Sequence, residues 1–140
     1  MENLQSLQII NPNHCGVVYL PGADKKDFAR QCSALGLIQV SLDSFDQTSW
    51  DKIVRDLTDS ACQQLVLIAA CDHHPVTVAA LQALENGFRV FVLCHDFDAT
   101  DARHTLTMMR LSQAGAVPLS APQFQDELSF AKAQKSKSSK

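Results

Sequence analysis

The chain has 140 residues and a mass of 15.4 kDa, the size of one domain. Hydrophobic residues make up 46% and charged residues 19%, which excludes collagen-like, coiled-coil and fully disordered chains. The net charge is −3, yet Lys132, Lys135, Lys137 and Lys140 all fall in the last ten residues, so the rest of the chain is distinctly acidic.

An acidic body without a basic patch speaks against nucleic-acid binding. No apolar run approaches the roughly 20 residues of a membrane helix. The polar start Met1-Glu2-Asn3-Leu4-Gln5 lacks the basic region of a signal peptide. The cysteines are Cys15, Cys32, Cys62, Cys71 and Cys94; their number is odd and they form no CxxC pair. They read as reduced thiols in a cytoplasmic protein.

Gly16-Val17-Val18-Tyr19-Leu20 is a short apolar strand ended by Pro21-Gly22. A helix starts at Asp24, with Phe28, Cys32 and Leu35 on one face and Gly36 at its end. Leu37 to Leu42 is the second strand. Thr48-Ser49-Trp50-Asp51 has capping-box form, and the helix behind it lines up Trp50, Ile53, Val54, Leu57 and Ala61. Leu65 to Ala70 is continuously apolar, as suits a parallel strand covered on both faces. Pro75 fits the first turn of a third helix, which carries Val76, Ala79, Ala80, Ala83 and Leu84 and closes at Gly87. Val90 to Leu93 is the next buried strand. Asp101 caps a helix to about Ala114, closed by Gly115. Ala116 to Leu119 is a last strand, at an edge because of Pro118. A final helical piece covers Gln123 to Phe130.

Strict alternation of strand and helix predicts a three-layer α/β sandwich, Rossmann-like, on a mostly parallel sheet of about five strands. Residues 1–130 form the domain. Residues 131–140, rich in Lys and Ser, read as a disordered tail. Sites in such folds gather at the carboxyl ends of the strands. Two of those ends hold most of the chemistry: Cys71-Asp72-His73-His74, and Cys94-His95-Asp96-Phe97-Asp98 with Asp101 and His104 behind it. If the two strands are neighbours, Cys71, His73, Cys94 and His95 offer zinc-type ligands, although their spacing matches no standard zinc pattern. The competing reading is that these residues cap helices and face water. Cys71 is a candidate nucleophile assisted by His73 or His74; against it stands an inert thiol packed at a strand end. No GxGxxG, GxxxxGK[ST] or GxSxG motif is present, and no cofactor is expected.

The segment Ser44-Phe45-Asp46-Gln47-Thr48, then a helix, then Gln64-Leu65-Val66-Leu67-Ile68-Ala69-Ala70, resembles the isochorismatase-like cysteine hydrolases. The resemblance continues through Ala80 to Phe88, through Val90 to Asp96, and through His104 and Gln113-Ala114-Gly115-Ala116. It spans Asp43 to about Pro122. It implies an isochorismatase-like fold and a triad of Asp, Lys and nucleophilic Cys acting on amides or isochorismate. The Asp position, at the end of the first strand, falls on Leu20 or Pro21. The Lys position, about four residues before Ser-Phe, falls near Val40, and no Lys lies between Lys26 and Lys52. The Cys position, opening the helix before the Ala-rich stretch, falls on Pro75. The segment before Ser44 is also shorter than the family's, as if a strand and a long active-site loop were deleted.

The resemblance therefore implies a divergent, shortened member without the triad, serving as a binding, assembly or regulatory module. Its ligand, a small acid or amide, would meet Ser44, Phe45, Cys71, His74 and Asp96. The alternative is a divergent hydrolase built on Cys71 with a nearby His, or on a metal. A homo-oligomer, a dimer, is expected, because a shortened sheet leaves apolar helix faces in need of cover. The face of Val76, Ala79, Ala80 and Ala83 suits close packing, either internally or across such a dimer.

Overall fold

The computed structural model describes residues 10–23, 28–71 and 75–138. Five strands, β1 (Cys15–Tyr19), β2 (Ile38–Ser41), β3 (Gln64–Ala69), β4 (Arg89–Cys94) and β5 (Val117–Leu119), form one parallel sheet in the order β2-β1-β3-β4-β5. The helices are α1 (Ala29–Ala34), α2 (Gln47–Asp59), α3 (Pro75–Glu85), α4 (Ala102–Ala114) and α5 (Ala121–Ser138).

The apolar runs explain the middle of the sheet. Every residue of β1 and β3 is buried, as is all of β4 beyond Arg89. Each fully buried Val, Leu or Ile contributes roughly 1.5–3 kcal/mol relative to exposure. Side chains alternate across the sheet and build two cores. One face packs Val18, Leu65, Leu67 and Val92 under α2, α3 and α4. The other packs Val17, Val66, Ile68 and Phe91 under α1 and α5, where Phe28 and Phe124 meet at 4.8 Å between ring centroids. Val76, Ala79, Ala80 and Ala83 lie inside the first core, so α3 spends its small-residue face within the chain. Gly16 is required by a close approach: a Cβ there would stand 2.8 Å from Leu57 Cδ2 of α2.

Helix ends follow local chemistry, with two departures from the sequence reading. Asp101 caps α4 through Arg103 N, and Gly115 closes it in the left-handed region at φ 109°. At α2 the cap is Asp46, not Thr48: Asp46 Oδ1 accepts from Ser49 N at 2.8 Å and Oδ2 from Ser49 Oγ at 3.0 Å. Ionised Asp satisfies first-turn amides better than Thr and suits the positive end of the helix. The last helix runs past the expected boundary at residue 130, through to Ser138, and Ala131 is buried in the second core with Phe124 and Leu128. A tail composition hid that anchoring contact because one Ala carries little signal. No helix among the described residues is long and apolar enough to cross a membrane.

Candidate functional site at the carboxyl edge of the sheet

β3 and β4 are neighbours with Ala69 opposite Cys94, which brings the two chemistry-bearing segments side by side. Cys71 N donates to Asp96 Oδ1 at 2.6 Å, tying the turn after β3 to the loop after β4. Cys71 Sγ lies 3.8 Å from the His104 carbonyl oxygen. Cys94 ends β4, and its thiol lies close enough to that of Cys71 for the two to interact. Burial pushes the Cys94 thiol far up, and the Cys71 sulfur and Asp96 carboxylate add to the effect. Cys94 therefore stays protonated at neutral pH and is a poor nucleophile.

The Asp and His residues behind β4 are engaged with backbone. His104, buried in the first turn of α4, accepts from Asp98 N through Nδ1 at 3.0 Å. Its neutral ring then carries the proton on Nε2, which stands 3.6 Å from Asp101 Oδ2. Asp98 Oδ1 accepts from Thr100 N at 2.9 Å and Thr100 Oγ1 at 2.7 Å, and these bonds hold its carboxyl below the usual range. Arg103 does the same for Asp101, by side chain first and backbone second.

Other sequence-derived candidates are spread along the edge. His95 is exposed. His73 and His74 lie outside the described residues. Among the described residues no group of three or more His, Cys, Asp or Glu converges as metal ligands; of the set Cys71, His73, Cys94 and His95, the two thiols are brought together. Ser44 and Phe45 follow β2, with β1 standing between them and β3. Ser44 is exposed; Phe45 is half-buried against Trp50, 5.8 Å between centroids. The strand order reverses between β1 and β3, where open α/β sheets place their ligand crevice. At that point β1 is followed by buried Leu20, whose amide donates to Ile68 O at 2.9 Å.

Two features escaped the sequence reading. Trp50 is fully buried and its Nε1 has no hydrogen-bond partner. A cavity of about 440 Å³ opens at the ends of β4 and β5, walled by Phe97, Met108, Leu119 and Pro122, with Cys94 and His95 beside them. Its rim contains a legible signal: Ser120 and Gln123 have capping-box spacing.

No family model matches the chain, and no curated protein matches it. Solved structures share its fold, among them the following two. MAR1 ribonuclease from Caenorhabditis elegans superposes with a TM-score of 0.59 at 16% identity, over 86% of this chain and 83% of that one. YcaC from Pseudomonas aeruginosa, solved with hexane-2,5-diol and covalent acrylamide, gives a TM-score of 0.65 at 17% identity, over 88% and 84%. The five-stranded parallel sheet between two helical layers is thus the isochorismatase-like α/β fold.

Proposed function

We propose that this chain is a divergent isochorismatase-like domain without the hydrolytic triad, acting as a binding, assembly or regulatory module in the cytoplasm. One observation carries the reading. The three positions where the family resemblance expects Asp, Lys and Cys hold Leu20 or Pro21 after β1, Val40 within β2, and Pro75 as the first residue of α3. None of these side chains ionises. Covalent hydrolysis needs a thiolate, a proton carrier and a cation to support the thiolate. Losing members of such a unit costs several orders of magnitude in rate and leaves binding. The ligand of this module is a small acid or amide at the carboxyl edge, near Ser44, Phe45, Cys71, His74 and Asp96. Cys71 does not replace the missing nucleophile in this reading: it is 3% exposed and its sulfur faces a carbonyl and another thiol. Self-association belongs to the same proposal, supported by exposed Leu106 and Met109 on α4 and Leu81 on the adjoining α3.

The test is a panel of nicotinamide, simple amides and isochorismate, assayed with wild type and Cys71→Ala in parallel. No turnover above background is expected from either. Turnover lost in Cys71→Ala overturns the reading in favour of a hydrolase built on Cys71. Turnover that survives it points to the Asp/His loop and a metal. Light scattering is expected to give twice the chain mass.

A further inference from the structure

The cavity after β4 and β5 lies away from the β1–β3 crevice and from all three triad positions. Its walls come from three elements: Phe97 on the loop after β4, Met108 on α4, and the β5–α5 junction with Leu119 and Pro122. A volume of about 440 Å³ falls within the range of small-molecule sites.

A helix N-terminus at a cavity normally invites an anion, because its first amides point outward unpaired. At α5 those amides are already spent. Ser120 Oγ accepts from Gln123 N at 3.2 Å, and Gln123 Oε1 accepts from Ser120 N at 2.8 Å. Phe124 N donates to Ser120 O at 3.0 Å. Pro122 has no N–H. Of the first-turn donors only the Ala121 amide is left, too few to desolvate a carboxylate or phosphate. Asp96 and Asp98 flank Phe97 in the chain, are exposed, and add negative potential to that loop. The cavity therefore offers an anion a single first-turn amide beside the side chains of Ser120, Gln123 and His95, and its remaining walls are apolar.

Phe97 supplies an independent observation. It is 46% exposed at the edge of the cavity, with its other flank tilted against His104 at 6.1 Å between centroids. An aromatic ring held from one side and bare on the other is a stacking surface.

We propose that the cleft at the carboxyl ends of β4 and β5 binds an uncharged, mainly apolar aromatic molecule with one hydrogen-bonding group, stacked on Phe97. The hydrogen-bonding group meets the Ala121 amide. This site does not depend on the module reading above, and it stands whether or not the chain turns over amides.

The experiment uses the full chain and a shape-matched pair of probes, naphthol and naphthoate, titrated by calorimetry at neutral pH. Saturable binding of naphthol to one site is expected, with naphthoate at least about tenfold weaker. Ala121→Trp fills the cleft and abolishes naphthol binding. Phe97→Ala, at an exposed position that leaves the fold intact, weakens it by about tenfold and carries the test if Ala121→Trp fails to fold. The proposal is overturned if naphthol shows no saturable binding, if naphthoate binds as tightly, or if binding survives Phe97→Ala unchanged.

Discussion

The two edges of the sheet are stitched by the same kind of bond, a side-chain oxygen accepting from a distant backbone amide, and yet they differ in outcome. At the amino edge Gln64 Oε1 accepts from Asn11 N at 2.6 Å and Glu127 Oε1 from Ile10 N at 3.0 Å. These bonds span 53 and 117 residues and pull the lead-in to β1 against β3 and α5. His14 O takes Gln63 N at 2.7 Å, closing the edge further. At the carboxyl edge Asp96 holds Cys71 N and the His104 carbonyl faces Cys71 Sγ, but the side-chain bonds of His104, Asp98 and Asp101 given above stay within their own loop and helix turn. Local bonds shape a loop without drawing neighbouring elements over it, and the β4–β5 cavity remains. A cluster of Asp and His therefore does not by itself mark a reaction centre; what distinguishes the carboxyl edge is the space its bonds leave.

That contrast is sharpened by two bonds of equal length in different surroundings. Gln64 is 6% exposed, whereas Asp96 is exposed. Asp96→Ala leaves the amide of Cys71, a residue 3% exposed, without its acceptor, so about 2 kcal/mol of stability is lost, the usual cost of an orphaned buried donor. Gln64→Leu keeps the apolar volume and leaves the amide of exposed Asn11 to water, and the loss is about 1 kcal/mol. Denaturant melts of the two variants measure both. Equal losses would mean that the burial of the donor does not separate the two bonds. Asp96→Ala also removes one of the charges that raise the Cys94 thiol, so Cys94 reacts faster with a thiol probe.

The strands, the order of elements and the edge position of β5 were legible because they rest on continuous apolar runs and on Pro118, both local signals. Asp101, Gly115 and Pro75 were legible for the same reason. The cap at Asp46 was missed because Thr48 offered a competing pattern two residues on. The proximity of Cys71 to Cys94 was conditional in the sequence, since strand neighbours are a matter of sheet order, which spacing does not encode. Gln64 and Glu127 gave no sign at all: a Gln at the start of an apolar strand and a Glu on a helix are ordinary until the lead-in to β1 is seen lying across them. The β4–β5 cavity assembles walls from a loop, a helix and a strand–helix junction, so no single segment announces it.

The smallest expected effect is at Glu127, and it reports whether the amino edge is as closed as its bonds imply. Glu127 is half-buried, and burial raises its carboxyl above the ordinary value of 4.5, outweighing the Ile10 amide, which pulls it down. A carboxyl whose folded pKa is raised contributes stability that is fully present below its unfolded value. That contribution is lost as pH rises through the folded pKa, because the folded state must then hold a charge it solvates poorly. Glu127→Gln keeps an oxygen to accept from Ile10 N and never ionises. The variant is therefore expected to melt slightly above wild type at neutral pH, and the gap is expected to close as pH falls below 4.5. Melting curves of both proteins across that range decide it. A variant that melts below wild type at neutral pH would mean that the charged form of Glu127 is well solvated or paired in the folded protein. The amino edge would then be open to water, and the difference drawn between the two edges would not hold.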